Sequence, residues 1–568
     1  MKKTILLLSI FTASMMLNAA NIYVSPTGSD LTGDGSKTLP VKTFSKAVGA
    51  AKVGVDTIFI AAGTYMETTI GNILESCPNL VIKGAGAKLT IIDGSTIGIA
   101  NGRILKNNNG TAQTTSNNTT IMDLTFTGAG YGAQGVNAGG GAIYFTQQGT
   151  AKNNLTLERV IFDDNWVGPN PSGTPKNGGA LYFSGNNLTI KDCYFKNNKA
   201  KGAVVGTGVS NGGAIFITPV ALGNGTYVNI SNTTFEGNEA GLGGAAITLS
   251  NSIWAGNPSV ITFAAKGATA PNSTFSMTNC TFLNNKATVN PKTATDTKAA
   301  IGVAFTANTG AVATPSFIYD ITIANCTFAD NVGGSSGLDG AGASSTFVSK
   351  STIEIDGTQW ASAKMVNNIV NASSLGNCGF AFMASDATGI KITGSNNIIE
   401  SVMTAKITAP TVYTAGANAT NVASVLTDNS TSTVYAVPYL ALSAGSSAID
   451  AGVNTFGTPE IVPATDVTGA SVVNTTKDLG AYEFGGVAGI FDTKQNNSIS
   501  VYPNPALSTL YIDSNDVQKV DIYSIRGTQL QSVSNGLNAI NVAGLESGLY
   551  LINVKTSNKT YVQRFVKK

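Results

Sequence analysis

The 568-residue chain contains no histidine. That removes Ser-His-Asp and Cys-His nucleophiles, imidazole acid–base work and histidine-ligated zinc. Carboxylates, a few basic groups, thiols and aromatic rings remain. Asp163-Asp164 is the one acidic pair within the repeats analysed below. A carboxylate hydrolase needs two or three such groups converging. The matching positions of the next units hold Lys196-Asn197 and Glu236-Gly237, so a hydrated turn is the better reading. A lyase needs a Lys or Arg base, often beside Ca2+. The arginines are Arg103, Arg159, Arg526 and Arg564. Arg159 falls where other units carry Asp192, Asn232, Asn279 and Asn325, which reads as a solvated corner, and Arg103 with Lys106 is an isolated candidate. No catalytic residue is assigned.

Asp30 and Asp34 lie in a Gly/Ser-rich loop. Such carboxylates hold Ca2+ together with carbonyls, or each closes an Asx-turn on its own backbone; the residues leave both open. Ca2+ is the one cofactor suggested. Trp166 and Trp254 fall in insertions between repeats and are the binding candidates. An exposed indole stacks on sugars or anchors a protein contact, whereas a folded-down indole covers its own loop. Tyr144, Tyr182 and Phe216 share one repeat position, as an internal stack or an external platform. Cys193, Cys280 and Cys326 share a small inward slot. Their spacing fits no zinc site, and they read as buried thiols. A Cys280–Cys326 disulfide is the alternative, although in-register neighbours suit its dihedral poorly.

These residues are positioned by a repeat. Leu155–Phe162, Leu188–Phe195, Val228–Phe235, Phe275–Phe282 and Ile321–Phe328 share the order apolar, x, apolar, x, x, small or apolar, x, Phe. Thr119–Phe126 precedes them, and a weaker Ile353–Trp360 follows. Alternation at period two makes each unit a strand. A bend after position four turns positions six and eight inward. A constant strand core with irregular spacing implies a solenoid with insertions at its corners, best matched by a right-handed parallel β-helix. Asn follows each Phe by three at Asn165, Asn198, Asn238, Asn285 and Asn331, predicting an amide ladder. Gly-Gly-Ala recurs at Gly140-Gly141-Ala142, Gly178-Gly179-Ala180, Gly212-Gly213-Ala214 and Gly243-Gly244-Ala245, predicting a corner with positive φ.

The ends differ. Residues 1–20 carry Lys2, Lys3, an apolar run and a small-residue end, as in a secretory signal. No later run reaches the roughly 18 apolar residues of a membrane helix. A net charge of +2 gives no field for nucleic acid. Thr43 to Val53 has helical periodicity and would cap the first coil. The last seventy or so residues alternate in short strands after Tyr502-Pro-Asn-Pro505, suggesting a small β-sandwich.

Over residues 119–335 the F-x-x-N and G-G-A elements resemble the repeats of polymorphic outer-membrane-protein adhesins. The stretch from Tyr23 to Gly94 resembles the opening of secreted parallel β-helices, some polysaccharide lyases among them. Ser446–Gly452, Asp466 and Asp478–Glu483 resemble the choice-of-anchor segment that closes surface β-helices. Tyr502-Pro-Asn-Pro505, Arg526-Gly527, Gly548-Leu-Tyr-Leu551 and Lys567-Lys568 resemble the type A C-terminal sorting domain of type IX secretion substrates. The organisation is then a signal (1–20), an N-cap and all-β parallel β-helix (21–400), a closing segment finishing the last rungs (401–490) and a sorting domain (491–568). The resemblance implies export to the medium or outer-membrane surface, with the type IX machinery as partner of 491–568. The expected role is adhesin-like or glycan-contacting and non-enzymatic, toward polysaccharide or a host or neighbouring cell surface. A lyase or hydrolase, or a structural surface-layer component, are the alternatives.

Overall fold

The structure is a computed structural model. It describes residues 20–51, 55–74, 77, 79–98, 102–108, 116–131, 139–147, 152–168, 177–201, 210–218, 225–241, 244–250, 272–287, 303–306, 318–331, 353–356, 361–370, 380–383, 391–399, 402–405, 413–415, 426–431, 435–486, 501–502, 504, 506–512, 516–524, 528–534, 539–557 and 560–568. The signal segment up to Ala19, Trp254 and Cys378 lie outside these. The chain divides into two compact units, Met1–Gly489 and Ile490–Lys568.

In the larger unit every strand pairs in parallel with the strand one coil away. Asn153–Asp163 lies between Asn117–Thr127 on one side and Asn187–Lys191 with Tyr194–Lys196 on the other. The register continues through Tyr227–Ser231, Asn272–Thr278, Ile318–Ala324, Ala361–Val366 and Lys391–Ser395. Among the described residues a second, ten-stranded sheet runs from Gly71–Leu74 to Val402–Ala405, and a third joins five strands from Gly130–Tyr131 to Lys286–Ala287. The architecture is a right-handed parallel β-helix.

Two bends per coil explain how the pattern becomes a coil. Position five of the unit takes the left-handed conformation in Asp123, Arg159, Asp192, Asn232, Asn279 and Asn325, with φ between 46° and 60°. Asp and Asn tolerate this region better than other side chains. The bend resets the alternation, so Leu155, Leu157, Val160 and Phe162 are all buried. A second left-handed column, Asp164, Asn197, Gly237, Asn284 and Asp330, turns the following Asn inward.

The core is a column of rings. Phe162, Phe195, Phe235, Phe282 and Phe328 stack with centroids 4.7, 5.0, 4.8 and 4.5 Å apart and planes within 8°. Phe126 continues the column at 5.6 Å, and Phe44 meets Phe126 edge-on at 6.0 Å. Phe44 opens the short helix Phe44–Ala50, N-capped by Thr43. That helix is shorter than the periodicity suggested and plugs the N-terminal end of the core. The buried Glu67 carboxylate accepts from the N–H groups of Phe44 and Ser45 at 2.8 and 2.9 Å, which satisfies two of the helix's orphan donors.

Three expectations are corrected. Ile353–Asp356 pairs with Val303–Thr306 in the ten-stranded sheet, so it is not a further Phe-type unit. The coil above Ile321 begins at Ala363 and reads Ala363-Lys-Met-Val-Asn-Asn-Ile-Val370. Period-two alternation marks a strand without saying which side of a coil it occupies. The fourth glycine corner is shifted by one: Gly244 (φ 58°) matches Gly212 (φ 67°), because Ile215 pairs with Ile247. Third, of the closing segment expected over 401–490, Val402–Ala405 and Tyr413–Ala415 do add parallel rungs, but the described residues of 426–486 add none. They run back along the flank as a strap, touching Lys88 through Asp428 at 3.5 Å, Thr234 through the Pro438 carbonyl, Asn396 through Ala451 and Asn279 through Thr465.

The strap lies where the outward residues of the Phe strand turn apolar. Asp163, Lys196 and Glu236 are followed in register by Leu283 and Ala329. Leu283, Ala329, Ile369 and Ile398 are buried against Leu440, Leu442, Ala448 and Leu479 of the strap.

The smaller unit holds two antiparallel sheets around Leu510, Val520, Ile522, Ile540, Ile552, Val554 and Phe565. The strand Gln529–Val533, at one edge, has no apolar alternation to betray it.

Candidate functional site

The asparagines that follow the Phe column form a continuous hydrogen-bonded file. The Oδ1 atoms of Asn198, Asn238, Asn285 and Asn331 each accept from the backbone N–H and the Nδ2 of the Asn one coil before, at 2.9–3.1 Å, and the Asn165 Oδ1 that starts the file accepts from the Ala129 N–H. Each Nδ2 also donates to a Phe carbonyl of the preceding coil, as from Asn198 to Phe162 at 2.9 Å. All five are buried. A second amide pair, invisible to the Phe motif, appears where the Phe residues stop. Asn368 and Asn397 occupy position six, and the Asn397 Oδ1 accepts from the N–H and Nδ2 of Asn368 at 3.1 and 2.8 Å. In earlier coils that slot holds the buried, free thiols of Cys193, Cys280 and Cys326. Burial pushes the Cys193 and Cys280 thiols well above their ordinary range.

The acidic pair sits beside a column of alternating charge. Asp163, Lys196 and Glu236 are in register on successive coils. Burial raises Asp163, and Lys196 opposes the shift. The Tyr194 hydroxyl donates to Glu236, and burial together with that carboxylate raises Tyr194. Asp164 occupies the second bend and meets Lys199 at 3.4 Å. Arg159 holds Asp123 at 2.6 Å and pairs with Glu158. Among the described residues no three Asp, Glu or Cys side chains gather closely enough to hold a metal ion.

Asp30 and Asp34 take separate partners. The Asp30 carboxylate accepts from the N–H groups of Lys42 and Thr43 at 2.7 and 3.0 Å and from the Thr43 hydroxyl at 2.8 Å. Burial raises Asp30, but these bonds outweigh it and leave a net lowering. Asp34 accepts from the Ser36 N–H at 2.8 Å, an Asx-turn.

The aromatic candidates present little free ring face. Trp166 lies over Gly130, where even a methyl would meet its ring at 2.2 Å, and the Lys201 ammonium stands 4.4 Å from its centroid. Trp254 falls outside the described residues. Tyr144, Tyr182 and Phe216 stack at 5.1 and 5.4 Å, but outside the sheet, since Ile143 and Phe145 take the inward positions. Arg103 covers the last open face, 4.2 Å from the Tyr144 centroid.

A surface missed by the repeat analysis lies on the first sheet. Its outward residues Thr120, Thr156, Thr189, Asn229 and Ser276 form one in-register row. Beside it stand Asn187, Tyr227 and Thr274, with Tyr227 46% exposed. The signal is present in the sequence as the x between the first two apolar positions of each unit.

Residues 500–568 match the Secretion system C-terminal sorting domain, and residues 192–218 match the Chlamydia polymorphic membrane protein repeat. No curated protein matches the chain. Among solved structures, a pectin methylesterase from carrot is 12% identical over 66% of this chain and 88% of its own, with a TM-score of 0.23. No activity is carried over from that likeness. No helix among the described residues is long and apolar enough to cross a membrane. The chain is therefore a secreted, right-handed parallel β-helix bearing polymorphic-membrane-protein repeats, whose C-terminal sorting domain engages the type IX secretion machinery for delivery to the medium or the outer-membrane surface.

Proposed function

We propose that the protein is a non-enzymatic contact rod, adhesin-like or glycan-contacting, displayed on or released from the cell surface. The observation that carries this reading is the unbroken register of the Phe and Asn columns through coils of unequal length. A scaffold satisfied coil by coil keeps its outer faces fixed while its corner segments vary. Contacts spread along such a face add up by multivalency. The charged side chains of the Phe strand, Asp163, Lys196 and Glu236, alternate in sign between neighbouring coils, which suits a structural surface.

The test is a screen of the purified, signal-free chain against polysaccharides and intact cells, with product analysis in parallel. Saturable binding with no change in polymer length is expected. New reducing ends or unsaturated products would overturn the non-enzymatic part of the reading.

A further inference from the structure

The outer face of the first sheet carries two adjacent rows of uncharged side chains. Strand alternation sends one side chain per coil outward into each row. In the first row these are Thr120, Thr156, Thr189, Asn229 and Ser276, all hydroxyls or amides. The neighbouring row begins as an amide file, with Asn154 donating to Asn118 at 2.6 Å and Asn118 to Asn79 at 2.9 Å. It continues through Asn187 to Tyr227 and Thr274. Across these coils both rows are free of charge; on the same face the row beyond them holds Glu158 and Lys191, opposite charges paired in register, and Asp320 and Lys364 bring charge into the two rows themselves. Asn187, Asn229 and Tyr227 are exposed. Among the described residues of the larger unit, Tyr227 and Phe484 are the exposed aromatics, and Tyr227 stands on the fourth of the panel's five coils.

We propose that this panel is a binding face for an uncharged, extended polysaccharide lying along the axis of the coils, with Tyr227 as its aromatic anchor. The proposal rests on the glycan-contacting reading above and gives it a site and a ligand class. Three physical points carry it. Hydroxyls and amides both donate and accept, so they match sugar hydroxyls without a charge to neutralise. Donors repeat at the strand spacing of roughly 4.8 Å, close to the length of one pyranose in an extended chain, so successive sugars meet equivalent groups. The side chains stand on strands locked from both sides, so little freedom is lost on binding. Lys191, beside the two rows, faces Glu158 in register, so the panel carries no net positive charge for an acidic polysaccharide and suits a neutral one.

The experiment uses the signal-free full chain in pull-downs on cellulose, β-1,3-glucan and mannan, with immobilised polygalacturonate as the acidic probe. Tyr227→Ala removes the ring, and Thr189→Glu introduces a charge into the panel; both sites face solvent, and unchanged melting curves confirm folding. Retention on at least one neutral matrix is expected. It should persist between about 0.05 and about 0.5 M salt and weaken roughly tenfold in each variant. Neutral-matrix binding that both variants leave intact would overturn the site while sparing the glycan reading. Binding confined to polygalacturonate and lost in salt would overturn the ligand class. Adhesion to cells with no retention on any polysaccharide would overturn the glycan reading itself.

Discussion

The Oδ1 of Asn285 accepts two hydrogen bonds from Asn238, one from its backbone N–H at 3.1 Å and one from its Nδ2 at 2.9 Å. One carboxamide thus closes a corner of its own coil and clamps the coil before it. Because Asn238 serves Asn198 in the same way, removing a middle side chain breaks hydrogen bonds on both sides.

Asn238→Leu strands the Asn198 donors and the Phe195 carbonyl in a dry interior and leaves the Asn285 Oδ1 with one of its two bonds, that from the backbone N–H of residue 238. Each buried orphan costs about 1–3 kcal/mol, so a loss of at least about 3 kcal/mol is expected. Thermal unfolding checks it, and Asn165→Leu, near the end of the file, should cost less. Equal losses would mean that the amides act independently.

Phe235→Ala removes a ring stacked 5.0 and 4.8 Å from its neighbours. A buried Phe→Ala change costs about 3–5 kcal/mol. Phe235→Leu should retain more than half of the lost stability. Proteolysis should strike first between the coils of Phe195 and Phe282.

Leu440→Asp places a charge among Leu283, Ile369 and Leu479. The strap should lift while the coils stay paired. The expected readout is unchanged far-ultraviolet circular dichroism with increased binding of a hydrophobic dye and faster hydrogen exchange in residues 435–486. Loss of β-signal instead would show that the strap is needed for the coils to form.

The strap carries a buried acidic cluster. Asp466 accepts from the N–H groups of Thr468, Ala470 and Glu483, Asp478 from Asp450 and Phe484, and Glu483 from Val473 and Asp478. Burial still raises all three carboxylates above their ordinary values. Burial also lowers the neighbouring Lys477, against the pull of the nearby carboxylates. With raised folded-state values, the native strap binds protons more readily than the unfolded chain. Its stability is therefore greatest below the unfolded carboxylate range of about 3.9–4.3 and falls as pH rises through the folded values. Hydrogen exchange corrected for intrinsic rates should show firmer protection of Val473, Asp478 and Glu483 at mildly acid than at neutral pH. Protection that falls on acidification would refute this sign.

The coil was legible because its two diagnostic residues, Phe162 and Asn165 in one unit and their counterparts elsewhere, face a place where neighbours are copies of themselves. Stacked rings and paired amides reward identical residues at each level, so the constraint appears as repetition. The strap was not legible for the opposite reason. Leu440, Ala448 and Leu479 answer to Leu283, Ala329 and Ile398, residues distant in sequence with no shared period. The change from Glu236 to Leu283 at one outward position was its visible trace. Ile353 was misplaced because the strands on different sides of a coil alternate alike. Tyr227 escaped notice because outward positions carry no packing constraint, so a single aromatic there looks like noise beside the repeating pattern of the core.

The strap also bears on mechanics. A solenoid pulled from its terminal coil opens like a zipper, one rung at a time, each rung meeting the load alone. Here the last part of the unit is fastened at Asn396, Asn367, Thr327 and Asn279 at once. Tension entering from the C-terminal side is shared in shear across several coils. Such a protein, held by one end against flow, would resist unravelling far better than its individual rungs.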